Sequence, residues 1–325
     1  MTSYQKKRGI ALITVLMILA IMVAIATTMT GRTTSSLLRT EGLSFSQKVY
    51  WYGQASVEFS RMVLNNDMAD SDIVSLDQLW ATPDMVFPVN EGTISGTLTD
   101  YRSCFNVNAI GLADKGQERA LPIRQFQALL IALGIEEYRA EIIAESTRDW
   151  IDANSTVDGG QGAEDRIYQA RGVPHLTANQ AMIDISELRA VYGVNASVFE
   201  RIRPYLCALP VSNQLININT VSVEHAIILY ALFKPEFDFS IEDFKTLLEE
   251  RPISGWLSTS EFFTANLFSS VDISDDIKEQ LSVSSEFFHL YSIATFNERR
   301  IALKLLFKVE DKKARTIRFQ YAGVE

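Results

Sequence analysis

The chain has 325 residues, of which 47% are hydrophobic and 22% are charged, so it is long enough for two folded units beyond its N-terminal segment. Lys and Arg total 30 against 40 for Asp and Glu, and the net charge of −10 disfavours nucleic acids and other polyanions as partners. This composition also excludes a largely disordered chain.

An uncharged apolar segment covers residues 10–30, directly after the basic sequence Lys6-Lys7-Arg8-Gly9. As a helix rising 1.5 Å per residue, this segment is about 30 Å long and can cross the hydrocarbon core of a membrane. The preceding cations predict that the N-terminus stays in the cytoplasm and that the rest of the chain lies on the other side. A cleaved signal peptide remains an alternative, because Ala24-Ile25-Ala26 is an acceptable cleavage site.

Apolar residues continue at helical spacing beyond residue 30. Their steps of three and four predict one continuous helix from Ile10 to about Leu64, with residues 31–65 outside the membrane. We expect neighbouring subunits to pack along this stripe. Its members are Phe45, Val49, Tyr52, Ala55, Phe59 and Met62.

Strand patterns flank a central region with helical patterns. Alternating residues predict a strand over 92–101, and three more over 287–296, 301–309 and 317–321, with turns at 297–299 and 311–313. The central region has an apolar helical stripe and two N-cap signals, formed by Phe126, Leu129, Leu130 and Leu133 and by Asp184 and Ser240. This order predicts an α+β fold with a long N-terminal helix, an antiparallel sheet and a large inserted α-helical domain.

Acidic residues and glycines are concentrated in the segment 149–165. Such loops offer the oxygen ligands that calcium and other hard cations require, and glycine lets the chain fold around the ion. The segment is not an EF-hand, because Val157 replaces the turn glycine and the closing acid comes one place late. A solvated acidic loop fits the residues equally well. The candidate ligands are Asp152, Asn154, Asp158, Glu164 and Asp165.

The two cysteines, Cys104 and Cys207, are far apart in the sequence. A disulfide between them closes a loop of about 100 residues, worth about 4 to 5 kcal/mol where the compartment is oxidising. Two buried free thiols are the alternative.

Residue patterns for catalysis are absent from the sequence. His175, His225 and His289 are far apart and lie in no HExxH pattern, and neither a phosphate-binding glycine loop nor a GxSxG turn occurs. We therefore expect no enzymatic activity.

The segments 217–233 and 248–255 resemble a helix-hairpin-helix DNA-binding module. Such a hairpin binds phosphate through glycine amides and nearby cations. Here Glu249, Glu250 and Glu261 surround the hairpin, with Arg251 as the cation. The sequence therefore predicts a packing unit without nucleic-acid binding.

The whole chain resembles the type IV pilins and, among them, minor pseudopilin K of type II secretion systems. The basic run ending in Gly9 before Ile10 is similar to a prepilin peptidase site. The remaining resemblance is carried by RGIALITVL at 8–16, CFNVN at 104–108, DWID at 149–152, GAED at 162–165, DISELR at 184–189, YLCALP at 205–210 and NINT at 217–220.

This resemblance implies a leader at residues 1–9, cleavage between Gly9 and Ile10, and methylation of the new N-terminus. Pilins usually carry Glu at the fifth mature position, where this chain has Thr14. A carboxylate in lipid is tolerated only when paired, so its loss fits a subunit with no neighbour above it. The implied domains are a membrane helix at 10–30, its periplasmic continuation at 31–65, a pilin-like α+β domain at 66–108 and 286–325, and an insertion at 109–285.

The expected function is that of a minor pseudopilin at the tip of the pseudopilus, initiating or capping the filament that exports folded periplasmic proteins. The resemblance implies a single-pass inner-membrane protein with a periplasmic head that binds calcium at the acidic segment. The implied partners are minor pseudopilins I and J, the major pseudopilin and prepilin peptidase. Two alternatives are a periplasmic calcium-dependent binding protein released after Ala26 and a DNA-binding competence pilin.

Overall fold

The computed structural model describes residues 8–83, 85–90, 92–111, 119–157, 159–296 and 299–322. The leader expected at 1–9 lies outside these ranges except for its last two residues, and so does most of the turn expected at 297–299. The helices are α1 (Arg8–Asp70), α2 (Leu121–Ala132), α3 (Glu137–Ile151), α4 (Asp165–Gln169), α5 (Ala196–Ile202), α6 (Ala226–Phe233), α7 (Ile241–Glu249), α8 (Thr259–Phe262) and α9 (Asp275–Lys278).

The strands are β1 (Met85–Val89), β2 (Gly92–Asp100), β3 (Phe105–Asn106), β4 (Leu206–Cys207), β5 (Ile216–Asn217), β6 (Leu281–Ser282), β7 (Phe287–Phe296), β8 (Arg299–Glu310) and β9 (Lys313–Ala322). One antiparallel sheet has the order β1-β2-β7-β8-β9. The predicted strands are confirmed with small shifts, since Arg299 and Lys313, expected in turns, belong to strands. Strand β1 was not predicted, because it is short and contains Pro88.

Helix α1 continues to Asp70, beyond the end expected at 64–65. Tertiary contacts explain the extra turn. Met68 is buried in the core beneath the helix, and the backbone N–H of Trp80 donates to Asp67 Oδ2 at 2.7 Å. These contacts stabilise a polar helix end that propensity alone would leave frayed.

One face of the sheet is covered by the second half of α1. Val57 and Leu64 on the helix lie in one buried cluster with Phe288 and Leu305 from β7 and β8. We call this covered side of the sheet its helix face, and the opposite side its back face. Because side chains alternate along each strand, every second residue of β7 and β8 points to the back face.

The insertion leaves the sheet after β2 and returns at β7, and α2–α9 pack around their own buried core. Two short parallel pairs, β3 with β4 and β5 with β6, lie within this region. Phe105 and Val107 belong to the helical core, although the sequence placed residues up to 108 in the pilin-like domain. Packing therefore moves the start of the insertion to about Phe105.

A buried carboxylate joins the insertion to the sheet. Asp100, the last residue of β2, accepts hydrogen bonds from Asn217 Nδ2 at 3.0 Å and from Thr220 Oγ1 at 2.6 Å. It also accepts one from the Ser285 hydroxyl, just before β7. Burial raises the pKa of Asp100, while these hydrogen bonds oppose the rise. One side chain therefore fixes the exit and the return of the inserted chain.

Candidate functional site

The first half of α1 is not covered by any other described part of the chain. Every side chain from Ile10 to Glu41 is exposed, and residues 10–30 carry no charge. Within the part of the chain that the structure describes, the helix starting at Ile10 is the one long and apolar enough to cross a membrane. A helix that is apolar all round needs lipid or other apolar helices around it. This segment is therefore a candidate single-pass anchor.

Thr14 fits such an apolar environment. Its hydroxyl donates to the carbonyl oxygen of Ala11 at 2.9 Å, so the polar group is satisfied inside its own helix. A glutamate at this position would have to find a cation from another subunit. Gly9 and Ile10 both lie in α1, and most of the leader before them is outside the described residues.

The stripe expected to contact neighbouring subunits faces the protein's own sheet along much of its length. Val49 is buried, and Phe45, Tyr52 and Phe59 are half-buried. The rings of Phe45 and Phe296 are 5.9 Å apart. This prediction was wrong for these four residues, because the sheet already covers them. The remaining two members of the stripe, Ala55 and Met62, are exposed.

The acidic segment forms a loop between α3 and α4. Asp152 caps the C-terminus of α3, and its Oδ1 accepts the backbone N–H of Asn154 at 3.2 Å. Asn154 in turn accepts the N–H of Thr156 at 2.7 Å. Asp158 lies outside the described residues. These bonds make consecutive tight turns and hold the side chains of Asp152 and Asn154 near the backbone.

Thr177 brings the other two candidate ligands together. Its hydroxyl lies 2.7 Å from Asp165 Oδ1 and 3.2 Å from Glu164 Oε2, and its N–H donates to Asp165 at 2.9 Å. These bonds lower the pKa of Asp165. Burial raises the pKa of Glu164, and the negative charges of Asp152 and Asp165 raise it further. Three of the predicted ligands therefore act on one another electrostatically.

Glu164 is a buried carboxylate whose Oε1 finds no hydrogen-bond partner among the described residues. A bound cation would satisfy this oxygen. The described side chains alone contain no group of three or more His, Cys, Asp or Glu arranged to hold a metal. The donor chemistry fits a hard cation, and the described ligand set is incomplete without further oxygen ligands.

Sequence reasoning missed Glu145 on α3, which holds the loop in place. Its buried carboxylate pairs with Arg119 and accepts the N–H of Gln161 at 2.5 Å. Gly159 has φ of 77° and lies against this carboxylate, where a Cβ would be 2.5 Å from Glu145 Oε1. A signal was present, because Glu141, Glu145 and Asp149 recur every fourth residue on one face of α3.

The structure joins Cys104 and Cys207 in a disulfide across 103 residues of sequence. The bond lies beside the parallel pairing of Asn106 with Cys207, where β3 meets β4. The disulfide therefore ties together the two ends of residues 104–207, which form the first half of the insertion.

The hairpin that resembles a DNA-binding module is packed into the insertion. Helix α6 begins at Ala226, after a short 3₁₀ turn. Arg251 donates to the carbonyl oxygens of Val221 at 2.7 Å and Ile218 at 3.3 Å, so its guanidinium binds the protein's own backbone. Asn219 bonds to Trp256 in both directions and occupies the space beside Gly255.

The three histidines lie in separate aromatic environments. His175 packs beside Trp150 and Tyr168, His225 beside Tyr205, and His289 stacks on Tyr101 with ring centroids 4.6 Å apart. Burial lowers the pKa of His289 to about 4, helped by the positive charges of Arg318 and Lys304.

Two family models match the chain, at residues 103–211 and 216–284, and both describe protein K of the type II secretion system (T2SS). Together they cover more than half of the sequence. The chain belongs to the type II secretion system protein K family. It is therefore a pseudopilin of that system, and its matched regions lie in the insertion.

Relatives in this family match over the whole chain. Type II secretion system protein K of Aeromonas hydrophila is 35% identical over 334 residues, covering 100% of both chains. The protein of the same name from Pectobacterium carotovorum subsp. carotovorum is 37% identical over 324 residues, covering 98% of each.

A solved structure shares the fold. A chain in the crystal structure of the GspK-GspI-GspJ complex from the enterotoxigenic Escherichia coli type 2 secretion system matches with a TM-score of 0.81 and 34% sequence identity. The match covers 88% of this chain and 100% of that one. The α+β fold of the matched part is thus common to this chain and that protein.

Proposed function

We propose that this pseudopilin occupies the tip of a short periplasmic filament and initiates or caps its assembly. The observation that carries the proposal is the uncovered apolar half of α1 in a chain whose head has an insertion about as long as a typical domain. The apolar half packs among the equivalent helices of other subunits in the inner membrane. The enlarged head, on the periplasmic side, blocks addition of a further subunit above it.

Thr14 supports the tip position. A pilin-type glutamate at this place pairs with the N-terminal amine of a neighbour, and a subunit with nothing above it has no such partner. The hydroxyl of Thr14 needs none, because it bonds within α1. Placing a threonine here avoids the cost of an unpaired carboxylate in hydrocarbon.

The partners that we propose are the minor pseudopilins I and J, the major pseudopilin and prepilin peptidase. The crystal structure of the GspK-GspI-GspJ complex supports the first two, since a chain of that complex matches 88% of this one with a TM-score of 0.81. The head acts by binding and blocking and carries out no reaction. Its acidic balance and the internal bonds of Arg251 argue against nucleic acid as a partner.

Calcium is the proposed ligand of the acidic loop, held by Asp152, Asn154, Asp158, Glu164 and Asp165. The support is the buried Glu164 with its unsatisfied Oε1, beside the negative charges of Asp152 and Asp165. When bound, the ion would supply positive charge that lets these carboxylates stay ionised together. The loop between α3 and α4 would then be rigid, held additionally by Glu145.

The N-terminus tests the anchor. Mass spectrometry of the mature protein should find a chain beginning with methylated Ile10. A soluble chain beginning at Thr27 would mean that a signal peptide had been removed, and the filament function would be wrong.

Gold labelling of the head tests the tip position. In cells assembling pseudopili, label should lie at one end of each filament. Label spaced regularly along the shaft would contradict the proposal, whereas a chain that starts at Ile10 but never joins filaments would contradict only the assembly step.

Calcium binding is tested by thermal unfolding of the full chain with calcium or with a chelator. Calcium at about 100 times its Kd should stabilise the wild type by about 2.7 kcal/mol. Asp152→Asn combined with Glu164→Gln should remove this shift, while Glu200→Gln combined with Asp238→Asn, both exposed, should keep it. An equal shift in all three proteins would show that the ligand choice is wrong.

A further inference from the structure

The last two strands carry charge of the opposite sign to the rest of the chain. Residues 299–322 contain eight Lys and Arg against two Asp and Glu, a net charge of +6. Since the whole chain is at −10, the remaining residues carry −16. Strands β8 and β9 form a β-hairpin, called the hairpin from here on. A positive surplus of this size on the hairpin creates a local positive potential that the net charge of the whole chain conceals.

The strand register places the cations on the back face of the sheet. Lys308 pairs with Arg315 across β8 and β9, and Arg318 pairs with Leu306. Lys304 and Arg300 follow Lys308 at steps of four residues, so they share its side. The helix face is apolar at the adjacent positions Leu303 and Leu305. We call the side chains of Arg300, Lys304, Lys308, Arg315 and Arg318 the basic face.

Few internal anions neutralise the basic face. Lys308 pairs with Glu310. Among the described residues, Lys304, Arg315 and Arg318 form no ion pair within 4 Å. Burial raises the pKa of Asp184 in the insertion, but the hydrogen bonds from Ser186, and after them the charges of Arg318 and Lys304, lower this pKa below its usual value. Lys304 lies over the ring of Tyr291, 5.7 Å from its centroid, and none of the three is neutralised by a close carboxylate among the described residues. Their charge is therefore available to a binding partner.

An apolar groove lies beside the basic face. Its volume is about 420 Å³, and it is bounded by Leu306, Ile317 and Arg318 of the hairpin and by Met182 and Ile183 of the insertion. Ile183 and Ile317 are 62% and 45% exposed. Exposed isoleucines at the rim of a groove are typical of a surface that binds another protein.

β9 is also an edge strand, so half of its backbone N–H and C=O groups point away from the sheet. One of these groups, the N–H of Ala314, already donates to Asn65 Oδ1 at 2.7 Å. An extended segment can add to such an edge as a further strand, with its side chains alternating between the two faces. If such a segment is added along β9, every second side chain of the segment lies over the basic face and the groove.

The membrane surface is too far away to be the partner. Phe45 of α1 contacts Phe296 at the lower end of the sheet, 15 residues above Thr30. This corresponds to about 20 Å of helix, beyond a Debye length of about 8 Å at physiological ionic strength. A partner that extends from another protein can reach the hairpin.

We propose that β9, the basic face and the groove together bind an extended segment of another protein, in which acidic residues alternate with apolar ones. The charge complementarity selects acidic side chains, the groove selects apolar ones, and the free edge supplies backbone hydrogen bonds. This inference does not depend on the position of the chain in the filament, so either can fail without the other.

The test uses the full chain in detergent and a fluorescent peptide of alternating Glu and Val, about ten residues long to match β9. Anisotropy should report binding that weakens as NaCl rises from about 50 to about 500 mM. Lys304→Glu combined with Arg318→Glu should weaken binding by about tenfold or more. Arg315→Glu alone should weaken peptide binding less. Because Arg315 is exposed, this variant keeps the test valid if the double variant misfolds.

The matched control is Lys245→Glu combined with Lys278→Glu. It changes the net charge by the same amount as the double variant of the basic face, but on the helical insertion. It should bind within about twofold of wild type, because Lys245 and Lys278 lie on helices of the insertion and belong neither to the basic face nor to β9. A peptide with Pro in place of Val should not bind, since Pro cannot donate to a strand edge. Absence of binding, equal loss in the control, or equal binding of the Pro peptide would overturn the proposal. Binding of anionic vesicles by the hairpin, lost in the same double variant, would overturn the choice of a protein segment.

Discussion

The two halves of α1 form one uninterrupted helix, yet they meet opposite surroundings. From Ile10 to Glu41 every side chain is exposed, and the apolar residues lie on all sides. From Val49 to Met68 a single stripe is buried against the sheet. The first half has the pattern of a helix that contacts lipid or other helices, and the second half that of a helix on its own domain.

The buried stripe of the second half differs in composition from the first half. It includes Gly53, Ser56 and Ser60, which let the helix approach the sheet closely. In the first half, apolar residues fill positions 10–26 with the single exception of Thr14. The comparison teaches that the stability of the head depends on the second half alone. Three pairs of identical substitutions, each with one change in the buried stripe of α1 and one outside that stripe, can break or sharpen this conclusion.

The largest difference is expected for Leu64→Ala and Leu19→Ala. Leu64 is 0% exposed in the sheet core, whereas Leu19 is 57% exposed. Removing the Leu64 side chain leaves a cavity and should cost about 2 to 5 kcal/mol of head stability. Leu19→Ala should change it by less than about 0.5 kcal/mol. Urea denaturation of the full chain in detergent measures both, and equal losses would show that the halves are not independent.

The next pair, Gly53→Ala and Gly42→Ala, should differ in sign. A Cβ at Gly53 would lie 2.6 Å from Leu303 Cδ1, and Leu303 is itself buried, so the change should cost about 1 to 2 kcal/mol. Nothing lies within 4 Å of a Cβ at Gly42, where alanine should stabilise the helix by about 0.5 to 1 kcal/mol. Thermal unfolding followed by circular dichroism tests this, and a loss at both positions would contradict it.

The smallest difference is expected for Ser56→Ala and Ser46→Ala. Ser56 Oγ donates to Ser292 Oγ at 2.8 Å in the buried contact between α1 and β7, and losing this bond should cost about 1 kcal/mol. Ser46 is exposed and bonds to Gly42 of its own helix, so its replacement should stay within about 0.5 kcal/mol. Urea denaturation measures both variants, and equal losses at the two positions would contradict this expectation.

Local patterns predicted α1, the four main strands and the helical insertion. Hydrophobic spacing and turn residues specify such elements within a few residues of sequence. Both predicted helix starts carry capping boxes, at Asp184 and Ser240. Those bonds join residues three apart, so the sequence alone determines them.

Features that depend on distant contacts were harder to predict. The apolar stripe of α1 was assigned to contacts with neighbouring subunits, although four of its residues pack on the protein's own sheet. The Glu145 carboxylate was missed because its partner Gln161 lies across a loop. In the acidic loop, the sequence identified which oxygens are present, while the bonds of Thr177 to Glu164 and Asp165 arise from the tertiary fold.

The sheet that covers α1 also sets the order of events during biogenesis. Strands β7, β8 and β9 are made last, after the helix and the whole insertion. At bacterial synthesis rates, the roughly 250 residues that follow α1 take about 10 to 50 s to appear. Through that interval Val57 and Leu64 have none of their final neighbours from β7 and β8. Such a nascent chain is exposed to misassembly until its C-terminus emerges. Truncation near the C-terminus should therefore destabilise the second half of α1 as much as the head.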